Sequence, residues 1–155
     1  MSVQHRHLSP QTTEHSREFD APPELLRRAH VEPELFGRWT GPEGSTVEFE
    51  RFDAVTGGAF RYTVRVGDGA WSFTGSYHLV AEDRIVHTWQ FEGEPGVSLE
   101  DVRFEALPGG RSRLVITSTQ ADASMAQELE ENRMADEALA SNLERLAALL
   151  DSLAP

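Results

Sequence analysis

The chain has 155 residues, of which 39% are hydrophobic, and a formal net charge of −12 at pH 7. This length predicts one domain with a sizeable core, and the acidic charge argues against nucleic acid as a partner, since phosphate binding needs a basic face. The absence of cysteine excludes disulfides, thiolate nucleophiles and cysteine-based zinc sites.

The N-terminal residues 1–15 are polar and offer almost nothing to bury, so we expect a disordered tail. They lack the apolar region of a secretory signal. No apolar run approaches the roughly 18 residues that cross a membrane, and we expect a cytoplasmic protein. The tail contains His5, His7 and His15, but two histidines at spacing i, i+2 in a flexible segment make a weak metal site. We therefore predict no metal and no cofactor.

A short strand followed by two proline-initiated helices opens the single domain that we expect over residues 16–155. The strand falls around residues 16–20. Pro22 and Pro23 occupy the first turn of one helix, where a missing N–H costs nothing, and Pro33 begins the next helix in the same way. The second helix has one apolar side, formed by Leu35, Phe36 and Trp39.

Between residues 45 and 120 the hydrophobic period changes to two, which predicts a sheet with one buried face and one wet face. Turn residues separate the apolar runs at hairpin spacing. We predict six strands in an antiparallel meander, at residues 45–54, 58–67, 70–81, 84–92, 98–107 and 111–120. Their buried face is expected to carry Phe60, Tyr62, Val64, Val66, Trp71, Phe73, Tyr77, Leu79, Ile85, His87, Trp89 and Phe91.

A helical pattern without Gly or Pro follows Ala123 and continues to Pro155. Its N-terminal half offers a core only Leu129, Met134 and a few alanines, so we expect that half to sit loosely, as a gate. The acidic run between residues 128 and 137 is predicted to be a solvated face. Packing on the sheet is expected from a leucine stripe in the C-terminal half: Leu139, Leu143, Leu146, Leu150 and Leu153.

Several short motifs keep their order and spacing from about residue 16 to residue 150. They are Phe19-Asp20-Ala21-Pro22, Pro33-Glu34, Arg38-Trp39 with Gly41-Pro42, Asp53 before Gly57-Gly58, Gly75-Ser76-Tyr77, Arg84-Ile85-Val86, Thr88-Trp89 and Arg145-Leu146. This set resembles the heat-shock-protein ATPase activator-like branch of the START-related (SRPBCC) superfamily. The resemblance implies an α+β helix-grip fold: a curved antiparallel sheet of about seven strands around a long C-terminal helix, two short helices after strand 1, and an apolar cavity.

The chain departs from that family pattern at two places. Val55 stands where members often carry Arg, and Ala138-Leu139 stands where they often carry Gly-Trp. Loss of that Trp would change the volume and shape of the cavity. Similar domains bind lipids, polyketides or hormones, cyclise aromatic polyketides, or are sacrificed to reactive antibiotics, so the resemblance implies a cavity without naming its ligand.

Strand alternation turns one imidazole, His87, toward the predicted cavity. It is either a core histidine bonded to tyrosine or backbone, or a group that acts as a general base or orients a ligand. Tyr62 and Tyr77 either donate to a ligand or pair with each other or the main chain. Gly75, on the same face, allows strand curvature or a close approach. The expected cavity wall is Phe36, Trp39, Phe60, Tyr62, Trp71, Phe73, Tyr77, His87, Trp89, Phe104, Met125, Leu129 and Leu139.

The favoured function is binding of a small hydrophobic or aromatic molecule, such as a lipid or polyketide, with no catalytic residue assigned. One alternative is a cyclase, aromatase or hydrolase that uses His87 with a neighbouring tyrosine. Another is a stress-related protein-interaction module that uses Glu130, Glu131 and an exposed sheet edge. A homodimer through an edge or through the two short helices is left open.

Overall fold

A computed structural model of the chain describes residues 1–131 and 133–154, without the side chains of residues 126, 129–131, 133 and 134. The described elements are β1 (Gln4–His7), β2 (Thr12–Phe19), α1 (Pro23–Val31), α2 (Pro33–Trp39), β3 (Thr46–Phe52), β4 (Ala59–Val66), β5 (Gly69–Val80), β6 (Arg84–Phe91), β7 (Ser98–Leu107), β8 (Arg111–Gln120), α3 (Ala123–Glu131) and α4 (Arg133–Leu153). They confirm the predicted α+β fold.

The strands form an open antiparallel sheet in the order β1-β2-β8-β7-β6-β5-β4-β3. Strands β3 to β8 are the predicted six-strand meander, because each pairs with the next along the chain. The chain closes the arrangement by placing β2 beside β8, its last strand. The sheet therefore has eight strands rather than about seven, and the two short helices follow the second strand rather than the first.

The N-terminal residues form a hairpin where the sequence predicted a tail. Strand β2 begins at Thr12 rather than near residue 16, and β1 pairs with it. The prediction of a tail was wrong because β2 has polar residues at inward positions, so its sequence shows no hydrophobic alternation. Arg17, although charged, is buried on the inner side of β2 together with Phe19. Backbone pairing with β8 along all of β2 supplies the hydrogen bonds that a tail would leave to water.

Helices α1 and α2 form a tight corner on the inner side of the sheet. Pro23 and Pro33 stand in their first turns, as predicted. Leu26 and Ala29 of α1 are fully buried. The indole N–H of Trp39, at the end of α2, donates to the Ala29 carbonyl over 2.9 Å from Nε1 to O. This bond fixes the position of α2 relative to α1.

The C-terminal helix packs through its leucine stripe. Leu143, Leu146 and Leu150 are buried to 1% exposure or less. The buried guanidinium of Arg17 donates to the Leu143 carbonyl and lies 3.0 Å from the Glu144 carboxylate, which ties α4 to β2. None of the described helices has the length and hydropathy required to cross a membrane.

A bulge in β5 overturns one predicted face assignment. Tyr77 pairs with His87, but Leu79 pairs with Val86, so the register shifts by one residue between them. The shift reverses the sidedness of the strand end, as expected for a bulge. Leu79 is consequently 36% exposed rather than buried.

A close backbone approach accounts for Gly58, in the turn before β4. A Cβ atom built on Gly58 would lie 2.0 Å from the Asp53 carbonyl oxygen. The amide N–H of Asp53 in turn donates to the Ala59 carbonyl over 2.9 Å. Only glycine fits at position 58, which is a physical reason for the spacing of Gly58 from Asp53 in this turn.

Candidate functional site

A small cavity lies between α1, α2 and the inner face of β4 to β7. Its volume is about 50 Å³. A water molecule takes about 30 Å³ of the liquid, so this space holds one or two waters and no metabolite. Nine residues line it: His30, Phe36, Phe60, Tyr62, Tyr77, Ile85, His87, Trp89 and Val102.

Aromatic rings make up one wall of the cavity. Phe60 and Tyr62, two positions apart on β4, have ring centroids 5.6 Å apart and nearly parallel planes. Phe36 from α2 meets the Tyr62 ring edge-on at 5.4 Å between centroids. Strand alternation places the two β4 rings on the inner face, as the sequence predicted.

His30 lines the cavity from α1 and was not among the predicted wall residues. Its Nδ1–H donates to the Leu26 carbonyl over 2.8 Å. The ring lies 5.0 Å, centroid to centroid, from both Trp39 and Phe104. Burial lowers the pKa of His30 to about 4, so the ring is neutral at pH 7. Its position one turn after the buried Leu26 was the signal that could have revealed it.

His87 faces the same cavity from β6. Its Nδ1 lies 2.9 Å from the Thr88 carbonyl oxygen. Because a carbonyl can only accept, Nδ1 carries the proton, so Nε2 is the ring nitrogen that can accept a hydrogen bond. His30 has the same arrangement. The cavity is therefore bordered by two imidazoles whose donors are used by the backbone and whose acceptor nitrogens have no hydrogen bond within the described part of the chain.

Two tyrosine hydroxyls complete the polar groups of the cavity. The Trp89 indole N–H donates weakly to the Tyr62 hydroxyl, over 3.4 Å from Nε1 to Oη. Burial raises the pKa of Tyr62 to about 12 and also raises the pKa of Tyr77. Both tyrosines are therefore neutral donors at pH 7. The Tyr77 hydroxyl has no hydrogen-bond partner among the residues that the structure describes.

The remaining predicted wall residues lie at varied distances from the cavity. Trp39 and Phe104 are buried behind His30, and Phe73 stacks on the outer side of Trp89 at 5.0 Å between centroids. Leu139 is half-buried against the core. Met125 is half-buried beside Gly96, where its methyl group occupies the place of a side chain. Leu129 lies outside the described side chains.

Trp71 does not border the cavity. Its side chain is 40% exposed, near the end of the sheet where β4 turns into β5. Trp71 pairs with the buried Val64 and so lies on the inner face, as predicted, but the α1–α2 corner does not cover that end of the strand. The prediction that Trp71 lines the cavity is therefore wrong.

Gly75 holds part of the cavity wall in place, and we expect Gly75→Ala to lower the free energy of unfolding by about 1–3 kcal/mol. An added Cβ would lie 2.0 Å from the Thr88 carbonyl oxygen and 2.4 Å from the Phe60 ring. Urea denaturation measures the change. Gly37→Ala on α2 is the matched control, because its Cβ meets nothing closer than 3.4 Å. Equal stability of Gly75→Ala and the wild type would contradict the close approach.

A second concavity lies at the surface around the β3–β4 turn. It is wide and open, and it is lined by Val31 and residues 51–58. The groups it presents belong mainly to a turn whose backbone is already paired. The enclosed aromatic cavity is therefore the better candidate for a functional site.

Solved bacterial structures share this fold. A protein from Rhodobacter sphaeroides superposes with a TM-score of 0.90 at 23% identity, covering 98% of this chain and 99% of that one. A protein from Chromobacterium violaceum is 27% identical with a TM-score of 0.78, covering 92% and 98%. A protein from Arthrobacter aurescens is 24% identical with a TM-score of 0.85, covering 98% and 92%.

Sequence comparison points to one family. No curated protein matches the chain significantly. A family model described as "Activator of Hsp90 ATPase homolog 1-like protein" matches residues 20–151, which span the sequence from α1 to the last turn of α4. The match confirms the resemblance that the motifs indicated. The chain belongs to the activator of Hsp90 ATPase homolog 1-like family.

Proposed function

We propose that this chain binds a small hydroxylated aromatic molecule in the cavity beneath α1 and α2. The observation that carries the proposal is the pair of imidazoles, His30 and His87, in an otherwise aromatic wall. Their Nδ1–H groups are used by backbone carbonyls, so each ring offers Nε2 as an acceptor. A phenol or enol hydroxyl supplies the matching donor, and its ring suits the aromatic surroundings.

Binding of a one-ring ligand requires the cavity to become larger. An apolar cavity that holds benzene has a volume of about 150 Å³, roughly three times the present one. Phe36 and Trp89 are the half-buried aromatic members of the wall, and the proposed binding enlarges the space by rotation of one of these two side chains. Helix α3 contacts β8, with Met125 beside Gly96, and its other described side chains are exposed, which fits the gate expected from the sequence.

Substitution of His87 by Phe tests the proposal with a matched ligand pair, p-cresol and p-xylene. Because one hydrogen bond is worth about 0.5–1.5 kcal/mol, we expect His87→Phe to weaken p-cresol binding about 2- to 10-fold and to leave p-xylene binding unchanged. Ligand-detected NMR titration measures both affinities. His78→Phe, at an exposed histidine, is the control. Binding of neither ligand, or an equal loss for both, would contradict the proposal.

Catalysis in the same cavity is the second candidate function. His87 pairs with Tyr77 across β5 and β6, with ring centroids 5.9 Å apart, so a base and a hydroxyl donor face one space. That arrangement suits acid–base work of the cyclase or hydrolase type. The test is turnover of a β-polyketone or an activated ester by the wild type and by His87→Phe. Turnover that His87→Phe loses while it still binds p-xylene would favour catalysis over simple binding.

Three further expectations from the sequence stay proposals. A homodimer would use an edge strand of the sheet, β1 or β3, or the two short helices α1 and α2. The stress-related interaction module would use the acidic helix, where Glu130 and Glu131 lie outside the described side chains. Light scattering on the purified chain measures the oligomeric state, and fluorescence microscopy of a tagged chain tests the cytoplasmic location.

A further inference from the structure

The N-terminal hairpin brings together histidines that the sequence left in a tail. In the β1–β2 register His5 lies directly opposite His15. His5 Nδ1 is 2.8 Å from His15 Nε2. Asp136 reaches the pair from α4, with its Oδ1 3.4 Å from the same His15 Nε2. All three ligand-type atoms lie within 4.8 Å of one another.

We propose that His5, His15 and Asp136 form a binding site for a divalent transition-metal ion of the zinc class. Metal–nitrogen bonds of about 2.0–2.1 Å in tetrahedral geometry separate two ligand atoms by about 3.3 Å. The two separations at His15 Nε2, 2.8 and 3.4 Å, bracket that value. Two imidazoles with one carboxylate are a donor set that zinc accepts, with a position left for water or another group.

A count of protons favours a cation over hydrogen bonding within the cluster. His15 Nε2 carries at most one proton, yet both His5 Nδ1 and the Asp136 carboxylate face it. If His15 Nε2 carries a proton and donates it to Asp136, the same nitrogen has no lone pair with which to accept a hydrogen bond. A proton on His5 Nδ1 would then point at a nitrogen that cannot accept it. If His15 donates to His5, the carboxylate loses its partner. A metal ion accepts all three lone pairs at once.

The surroundings of the cluster are suited to a cation. His15 is nearly buried, with a side-chain exposure of 12%. Glu100 lies near enough to act on it electrostatically, which adds a second negative charge. The His7 ring is next to His5, with 3.4 Å between their Nε2 atoms. Since His5 would bind through Nδ1, His7 joins the same ion only after the His5 ring turns.

A bound ion would link the hairpin to the last helix. His5 lies on β1, His15 on β2 and Asp136 on α4, so the three ligands come from three elements. Among the described strands, β1 pairs only with β2, and a metal bond to His5 would hold it against α4 as well. Hydrogen exchange of the β1 amides should therefore slow when the ion binds.

The test uses the full chain without an affinity tag, titrated with Zn²⁺ against a chromogenic chelator. We expect one Zn²⁺ per chain, with affinity lowered at least tenfold by His5→Ala and by Asp136→Asn. Both residues are exposed, so neither variant threatens folding. His78→Ala and Glu137→Gln are the matched controls, since each removes an exposed group of the same type elsewhere.

Two further readouts separate a built site from surface binding. Co²⁺ should give visible absorption bands whose intensity reports four or five ligands, and Mg²⁺ should not compete. Binding of less than one Zn²⁺ per chain at 100 µM, roughly, would overturn the proposal. So would Zn²⁺ binding that His5→Ala and Asp136→Asn leave unchanged, or that leaves the exchange of the β1 amides unaltered.

Discussion

Replacement of Trp39 by alanine is expected to lower the free energy of unfolding by about 3–5 kcal/mol, the range for truncating a buried aromatic side chain. Trp39 is 7% exposed and contacts His30 and Phe36, which both line the cavity. Its indole N–H also supplies the bond that joins α2 to the Ala29 carbonyl of α1. The substitution therefore removes packing area and leaves a buried carbonyl without its partner.

Trp71→Ala is the matched control for that experiment. It removes the same side chain from a position that is 40% exposed, and we expect a loss of about 1 kcal/mol or less. Urea denaturation of both variants measures the difference. Equal losses would show that Trp39 does not hold the α1–α2 corner together.

Acid is expected to destabilise the protein through His30. Burial holds the folded-state pKa of His30 at about 4, below the unfolded value of 6.5. Between these values the unfolded chain binds a proton that the folded chain excludes, so stability falls as pH falls. The contribution is fully present above pH 6.5 and is lost by about pH 4. A shift of this size corresponds to a loss on the order of 3 kcal/mol.

The His30→Asn variant isolates this effect. Its amide N–H can still donate to the Leu26 carbonyl, but it does not titrate in this range. The difference in unfolding free energy between wild type and variant should shrink steadily from pH 7 to pH 4. His78→Asn, at an exposed position, serves as control and should show no such trend. A difference that stays constant with pH would mean that His30 is not buried in its neutral form.

The meander and the two short helices could be predicted because their signals are local. Strand alternation and turn residues placed all six meander strands within two residues of their observed ends. Pro23 and Pro33 marked two helix starts. The hairpin of β1 and β2 gave no such signal, because its inward side chains include His15 and Arg17. Their partners lie in α4, more than 100 residues away, and periodicity cannot show that.

The cavity was predicted in outline and missed in its chemistry. Alternation on β4 and β6 identified Tyr62 and His87 as inward residues. It could not locate His30, since that position depends on how α1 is rotated over the sheet. Nor could it show that Trp71 lies beyond the cover of the helices. The face of a strand on which a residue lies follows from the local sequence pattern. Whether helices cover that part of the face follows from the packing of elements that are distant in sequence.

The small volume limits what the cavity can bind in its present form. The empty space is only about 50 Å³, because the aromatic side chains of the wall fill most of the region between the helices and the sheet. Any lipid or polyketide would have to displace Phe36, Trp89 or the α3 region, at a cost that reduces affinity. A monocyclic phenol needs the least displacement, which is why p-cresol is the probe.

The most direct test of a ligand cavity is a search for intermolecular nuclear Overhauser effects from bound p-cresol to labelled methyl groups. Ile85 and Val102 line the cavity, whereas Val55 and Val97 are exposed elsewhere. The account predicts contacts from p-cresol to the Ile85 and Val102 methyl groups and none to the two exposed valines. Contacts to the exposed valines alone, or no contacts at saturating p-cresol, would contradict it.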